Sequence, residues 1–152
     1  MKNKGNTLKV LLNTSFILPT LGIDVGREVE INLKKLDEVK AEIYYSRFSI
    51  LESLWVAAKL MKNQAFNMER FIQGLKRVME SGRYIKVEEN AQTFIDAFKF
   101  YKLGHSDIID NVLYATSMNF SLKFLTLDEE LKEFAQNKGL NDTFIKELNK
   151  KT

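Results

Sequence analysis

The sequence predicts an α/β fold, a three-layer α/β/α sandwich with a central, mainly parallel sheet of four or five strands. Short apolar runs alternate along the chain with longer segments in which apolar residues recur at helical spacing. This alternation is typical of β-α units around a parallel sheet. The 152 residues contain no internal repeat and no low-complexity linker, so we expect a single domain over residues 1–152.

Four short apolar runs are the predicted strands, and the second is especially rich in strand-forming residues. They cover residues 8–13, 41–46, 83–87 and 122–126. Apolar residues three or four positions apart predict helices elsewhere in the chain. The helical segments are 14–21 with Pro19 near its end, 29–36, 48–58, 71–82, 94–104, 107–119, 129–139 and 142–149. The apolar stripe of the third helical segment consists of Phe48, Leu51, Leu54, Trp55 and Ala58.

The composition excludes several kinds of site. Cys is absent, which rules out disulfides, thiolate metal sites and Cys catalysis. His105 is the single His, so a metal would have mostly oxygen ligands, which favours Mg²⁺ or Mn²⁺ over Zn²⁺. The net charge of +3 permits nucleic-acid binding without requiring it. The first apolar run is too short for a signal peptide or a membrane span, and we expect a cytoplasmic protein.

Polar residues follow the first and fourth predicted strands. Residues 13–15 are Asn-Thr-Ser, and residues 126–128 are Thr-Leu-Asp. Ligands of open parallel sheets bind beyond the carboxyl ends of the strands. We therefore expect Asn13 and Asp128 to face the same site.

Three further acids stand near the starts of predicted helices. Glu52 and Asp110 both have apolar neighbours in the sequence, and Asp107 lies three residues before Asp110, so that the two Asp side chains can share one helix face. A carboxylate close to a core is uncommon unless something compensates its charge. Several carboxylates brought together repel one another unless a cation joins them, and a divalent metal site is the expected solution.

Each of these residues also has a structural interpretation. Asp107 and Asp128 suit helix N-caps, Glu52 suits a solvated position on an amphipathic helix, and Asn13 suits a turn. For any one residue alone the structural interpretation is favoured. The convergence of all four segments favours the metal site.

In order and spacing these segments resemble the PIN domain, the fold of many toxin nucleases in prokaryotic toxin–antitoxin pairs. The first strand ends in VLLNTS, and Glu52 lies in SRFSILESLWVA. The stretch Asp110-NVLYATSMNFSLKFLT-Leu127-Asp128 is similar to the family pattern DxxxxAT(A/S) followed by a strand ending in TxD. Asp107 matches an extra acid found in some members. The resemblance covers nearly the whole chain, although residues 60–100 are generic.

One position departs from the family pattern. The family normally has Asp where this chain has Asn13, and an amide lacks the charge that helps to hold Mg²⁺. Either Asn13 is an introduced substitution that silences a nuclease, or the chain is a natural member with weakened or lost activity. The alternative function is therefore a PIN-like module that binds RNA or a protein without cutting. A response-regulator receiver domain is disfavoured, because RYIKVEEN at 83–90 lacks the phospho-accepting Asp.

The resemblance implies a ribonuclease that cleaves RNA phosphodiesters with Mg²⁺ or Mn²⁺. The implied metal and catalytic positions are Asn13, Glu52, Asp110 and Asp128, with Asp107 holding an outer-sphere water. The side chains expected to hydrogen-bond to the carboxylates or to metal-bound water are Thr14, Ser15 and Thr126. The candidates for RNA contact are Arg47 first, then Lys9, Lys59, Lys62 and Lys123, and His105 near the acidic helix start. The expected partners are RNA, an antitoxin protein and a second copy of the chain in a homodimer, with no membrane.

Overall fold

The computed structural model describes residues 7–63 and 65–145. Its sheet has the strand order β3-β2-β1-β4, and all three neighbouring pairs are parallel. The strands are β1 (Lys9–Leu12), β2 (Glu42–Tyr45), β3 (Tyr84–Lys86) and β4 (Lys123–Leu125). The predicted α/β class with a mainly parallel sheet is confirmed, and each predicted strand is present but shorter by one residue at each end.

Helices connect the strands, as parallel pairing requires. The helices are α1 (Arg27–Glu38), α2 (Arg47–Leu60), α3 (Met68–Glu80), α4 (Ala91–Leu103), α5 (Ile108–Asn119) and α6 (Glu129–Asn137). None of the helices in the described residues combines the length and the apolar character that a membrane crossing requires.

The sheet carries a core on each face, which gives the three layers. Val10 and Leu12 of β1 point into one core, and Leu11 between them points into the other, as the two-residue period of a strand dictates. The first core contains apolar residues of α1 and α3, and the second contains those of α5 and α6. Strands buried on both faces read as continuous apolar runs, which is why LKVLL was recognisable in the sequence.

Residues 14–21 form two 3₁₀ turns instead of the single helix that was predicted. The first covers Thr14–Phe16 and the second covers Leu18–Leu21. Pro19 stands at the start of the second turn, where its missing N–H removes no bond. Gly22, with φ of 85°, ends the second turn.

Helices α2 and α4 bury a different face from the one that their apolar residues suggest. The small residues Ser49, Ser53 and Ala57 of α2 are buried, whereas Trp55 is 55% exposed. In α4, Phe98 is 67% exposed. The exposed large apolar residues of the two helices are Leu51, Leu54, Trp55, Phe94, Ile95, Phe98, Tyr101 and Leu103. Small side chains let α2 approach its neighbours closely, and the larger apolar stripe is left on the surface.

The helix predicted for residues 142–149 is wrong in its described part. Residues 142–145 are not helical, and Phe144 forms a parallel bridge with Phe124 of β4. The backbone N–H of Phe124 donates to the Thr143 carbonyl at 2.8 Å, and the N–H of Ile145 donates to the Phe124 carbonyl at 3.0 Å. The outer edge of β4 offers unpaired backbone groups that capture this segment. Residues 146–149 lie outside the described residues.

Candidate functional site

The carboxyl ends of β1 and β4 open into a cavity of about 400 Å³, which we call the acidic pocket. Its lining residues are Asn13, Thr14, Ser15, Leu18, Glu52, Val56, Asp107, Asp110, Thr126, Leu127 and Asp128. The structure thus brings together every predicted metal and catalytic position and all three of the neighbouring hydroxyl residues. Arg47 and His105 are not among the lining residues.

Asn13 ends β1 and is 9% exposed. Its backbone N–H donates to the Leu125 carbonyl at 3.0 Å, which fixes the end of β1 against β4. Its Oδ1 accepts from the Ser15 backbone N–H at 3.2 Å, as an N-cap of the first 3₁₀ turn. Its Nδ2 donates to Asp110 Oδ1 at 3.4 Å. The amide is therefore oriented with its donor, not its oxygen, toward the acids.

Asp107 and Asp128 are helix N-caps as well as lining residues. Asp107 Oδ1 accepts from the backbone N–H of Asp110 at 3.0 Å, and Asp128 Oδ1 accepts from the backbone N–H of Leu131 at 3.1 Å. The backbone N–H of Asp128 donates to Thr126 Oγ1 at 3.1 Å. The structural interpretation from the sequence therefore holds without displacing the functional one. Capping fixes where these carboxylates stand, and it leaves their second oxygens for other partners.

Asp110 and Asp128 form a coupled carboxyl pair. Burial, the hydrogen bond with Asp128 and the charges of Asp107, Asp128 and Glu52 raise the pKa of Asp110 to about 8. Burial also raises the pKa of Asp128, but the hydrogen bond with Asp110 and the backbone N–H of Leu131 outweigh it, so that this pKa lies below its ordinary value. At neutral pH the two carboxyl groups therefore share one proton.

Glu52 extends from α2 toward the same pocket. Thr14 Oγ1 donates a hydrogen bond to Glu52 Oε1, so the 3₁₀ turn that follows β1 orients this carboxylate. Val56 lies one helical turn further along α2 and forms an apolar wall of the pocket. Sequence reasoning did not single out Val56, although its position four residues after Glu52 carries the signal.

The donor set of the pocket fits Mg²⁺ or Mn²⁺ in its chemistry. Within residues 7–63 and 65–145, no three acidic or imidazole side chains are grouped closely enough to hold one ion together. Mg²⁺ does not need such a cage, because it keeps several water ligands and binds through one or two carboxylates together with substrate phosphates. The Asp110–Asp128 pair supplies two carboxyl groups, and a cation between them would relieve the repulsion that a shared proton relieves without metal.

His105 is buried close to the pocket without lining it, and its charge is one of the causes that lower the pKa of Asp128. Its side chain is buried, and Nδ1 lies 2.7 Å from Asn111 Oδ1, while Asn111 Nδ2 donates to the His105 carbonyl at 2.7 Å. The His105 ring also lies 5.3 Å from the ring of Phe134. This reciprocal pairing ties the loop before α5 to the helix, which is a structural role.

Arg47 forms ion pairs with two acids in the loop between β3 and α4. Its guanidinium binds Glu88 at 2.7 Å and lies 3.5 Å from Glu89. Contact with RNA stays a prediction for this residue, and it would have to occur with Arg47 still facing these two carboxylates.

Comparisons with known proteins support the fold. No protein-family model matches the sequence, and no curated protein matches it. Among solved structures, FitAcB from Neisseria gonorrhoeae is 16% identical, with a TM-score of 0.57 over 90% of this chain and 96% of that chain. VapBC2 from Rickettsia felis, bound to a DNA fragment from its promoter, is 13% identical, with a TM-score of 0.58 over 90% of this chain and 98% of that one.

A third structure, a toxin–antitoxin complex from Klebsiella pneumoniae, is 15% identical, with a TM-score of 0.56 over 88% of this chain and 97% of the matched chain. At such identities the likeness shows the fold. The chain has the PIN-like α/β fold of these three structures, and the fold expected from its sequence is confirmed.

Proposed function

We propose that this chain is a PIN-type ribonuclease, dependent on Mg²⁺ or Mn²⁺, and the toxin component of a toxin–antitoxin pair. The acidic pocket carries the proposal, because acids from three separate helix starts converge on the ends of β1 and β4. A group of carboxylates in which one must keep a proton up to pH about 8 is costly for stability alone. A binding site for a cation and a phosphodiester explains that arrangement. A cytoplasmic location goes with this role.

Asp110 and Asp128 would hold the ion, and Glu52 would complete the site directly or through water. When bound, Mg²⁺ or Mn²⁺ supplies a more acidic water and neutralises charge on phosphoryl oxygens. The carboxyl pair would release its shared proton when a cation is bound. Thr14 keeps Glu52 turned toward the pocket, and Asp107 is placed to accept a hydrogen bond from a water at the rim.

Asn13 weakens this site. Its Nδ2 donates to Asp110, so that an amide donor already occupies one oxygen of a carboxyl group that would hold the cation. Its Oδ1 accepts a hydrogen bond from the Ser15 backbone and carries no negative charge, so it is a weaker ligand than a carboxylate oxygen. We therefore expect ribonuclease activity to be low in this chain and to rise when Asp is placed at position 13.

Cleavage of a labelled RNA in the presence of Mg²⁺ or Mn²⁺ tests the function. Asn13→Asp should raise the cleavage rate, and adding Asp110→Asn to it should lower the rate by about 10²-fold or more. Asp96→Asn, an exposed carboxylate change on α4, is the matched control and should leave the rate unchanged. Equal cleavage by Asn13→Asp with and without Asp110→Asn would show that the site assignment is wrong.

The second candidate function, an RNA-binding or protein-binding module without cleavage, is favoured by one contact. The Asn13–Asp110 hydrogen bond satisfies the buried carboxyl without a metal. RNA binding that is unaffected by Asn13→Asp and by chelation, with no cleavage by either form, would favour this alternative.

We also propose a protein partner on the exposed apolar face of α2 and α4. Phe48 and Phe94 meet edge to face at 5.6 Å and join the two helices, while Trp55 and Phe98 are more than half exposed. Large apolar side chains that stay exposed on two helices in contact are typical of interaction sites. One of the similar structures is a toxin–antitoxin complex, and an antitoxin segment is the proposed occupant.

A homodimer is the further assembly proposed from the family resemblance. Light scattering of the isolated chain reports whether it dimerises. Trp55→Ser with Phe98→Ser should abolish capture of an antitoxin co-expressed from the adjacent gene, while an intact homodimer in that variant would assign dimerisation to another surface. Capture that survives both substitutions would contradict the assignment of the antitoxin to this face.

A further inference from the structure

A second cavity, of about 350 Å³, lies on the face of the sheet that is covered by α1 and α3. It shares no lining residue with the acidic pocket. Its apolar floor is formed at the surface by the half-buried Pro19 and Leu33, while Leu36 and Ile43 of the lining are buried in the core of that face. An apolar floor with a few polar groups at the rim is the general form of a small-molecule site.

Three arginines stand at the rim of this cavity, which we call the arginine pocket. Arg70 and Arg77 are seven residues apart on α3 and therefore share one face of that helix. Arg83 follows from the loop before β3. Arg77 and Arg83 also line an adjoining surface cavity of about 710 Å³, to which Lys76 adds a further positive charge. Cations from two separate elements thus converge on one opening.

The three guanidinium groups differ in what already satisfies them. Arg70 donates to the Thr20 carbonyl at 2.8 Å. Arg83 is paired with Asp37, which is 68% exposed. Arg77 has no ion-pair or side-chain hydrogen-bond partner among the residues that the structure describes. The rim therefore carries an excess of positive charge with guanidinium donors to spare.

The spacing between rim and floor is fixed by a close helix contact. A Cβ on Gly74 would lie 2.3 Å from the Thr20 carbonyl oxygen and 2.6 Å from the Leu21 Cα, so α3 rests directly on the second 3₁₀ turn. Only glycine permits this approach. This contact fixes the distance of Arg70 and Arg77 from the apolar floor. The site is therefore preformed, and a preformed site loses less conformational entropy when it binds a ligand.

We propose that the arginine pocket binds a phosphate monoester carried by an organic body, of the nucleoside monophosphate class. The phosphate lies between Arg77 and Arg83, because the planar guanidinium fork matches phosphate oxygens in paired hydrogen bonds. The organic body lies on the apolar floor beside Tyr84, a half-buried lining residue. Asp37 competes with the phosphate for Arg83, so that binding exchanges one anion for another.

Titration calorimetry of the whole chain in metal-free buffer, with adenosine 5′-monophosphate, inorganic phosphate and adenosine as probes, tests the proposal. The monophosphate should bind more tightly than either other probe. Arg77→Ala should weaken its binding by about tenfold or more, since charge-assisted bonds to phosphate are lost. Asp37→Asn should tighten binding because it frees Arg83, an effect that a merely structural role would not produce.

Two controls keep the result specific. Arg27→Ala removes an arginine at the far end of α1, outside the cavity lining, and should not change binding. Arg77→Lys keeps the positive charge without the fork, and it should fall between Arg77→Ala and the unaltered chain. Asp110→Asn should bind normally, so that failure of the ribonuclease proposal leaves this one standing.

The overturning results are equally defined. Absence of binding at millimolar monophosphate, or equal affinity in Arg77→Ala, would reject the site. Equal affinity for inorganic phosphate and the monophosphate would reject the organic body and keep the anion site. Displacement of the monophosphate by a 5′-phosphorylated RNA oligonucleotide, dependent on Arg77, would identify an RNA end as the source of the phosphate.

Discussion

The acidic pocket and the arginine pocket both gather charges of one sign, but they do so in opposite settings. Asp110 is 8% exposed and shares a hydrogen bond with Asp128, whereas Arg83 and its partner Asp37 are 44% and 68% exposed. Water and salt screen the exposed charges of the arginine pocket, so the repulsion among them costs little free energy. The buried group must hold a proton or a cation, and so it is the part of the molecule most sensitive to pH and metal.

The largest expected effect of this difference is on the pH dependence of stability. The pKa of Asp110 rises from 3.8 in the unfolded chain to about 8 in the folded protein, so that folding is favoured while the group stays protonated. This contribution is complete below pH 4 and fades as the pH rises to about 8. The free energy of unfolding without metal should fall by up to about 1.4 kcal/mol per pH unit in that window.

Asp128 acts in the opposite direction. Its pKa is lowered on folding, so its contribution is present above its unfolded pKa and is lost as the pH falls through the folded value. Urea denaturation in chelator at a series of pH values checks both slopes. Asp110→Asn should remove the decline toward pH 8, and a decline that persists in this variant would move its origin to another group.

Gly74→Ala is expected to have the next largest effect on stability. It tests the close contact between α3 and the second 3₁₀ turn beside the arginine pocket. The new methyl group would collide with the backbone at Thr20 and Leu21, and overpacking of this kind costs about 1–3 kcal/mol. Helix propensity alone would favour Ala at this position, so a loss of stability in chemical denaturation isolates the contact. Gln73→Ala, an exposed neighbour on the same helix, should not lower stability.

Asn13→Asp should change stability less, in a direction that depends on metal. Without metal the variant replaces a donor to Asp110 with a further carboxylate, and the free energy of unfolding should fall by about 1–2 kcal/mol. Added Mn²⁺ should restore it, and should stabilise the variant more than the original chain. Thermal unfolding with chelator measures the loss of stability without metal, and thermal unfolding with Mn²⁺ measures the stabilisation by the ion. Equal metal-induced stabilisation in the two proteins would contradict a role for position 13 in metal binding.

The fold was predictable from the sequence because its strands are buried on both faces. Residues 8–13 and 122–126 appear as apolar runs that end in polar residues, and the parallel topology then places Asn13 and Asp128 at one edge. Asp107 and Asp110 follow from the start of α5 in the same way. The positions of the acids therefore came from local pattern and topology together.

The features that were not predicted depend on which faces of the helices pack against other segments. The spacing of residues along one helix does not determine that packing. The apolar stripe of α2 faces outward because Ser49 and Ser53 pack inward, and periodicity is equally satisfied by either face. The arginine pocket needs Gly74 to seat α3 against the 3₁₀ turn, a contact between segments about fifty residues apart. The hydrogen bond from Asn13 to Asp110 likewise depends on the side-chain geometry across β1 and α5.

The smallest effect is expected at the exposed pair of the arginine pocket. Asp37→Asn removes the ion pair with Arg83, but exposed pairs of this kind contribute only about 0–1 kcal/mol, and raised salt should remove the difference from the original chain. Denaturation at low and high ionic strength measures it. A larger loss that survives high salt would mean that the Asp37–Arg83 pair is coupled to the core beneath it. The acidic pocket and the arginine pocket would then differ only in the sign of their charge. The proposed difference between buried, repelling carboxyl groups and solvent-screened arginines would not hold.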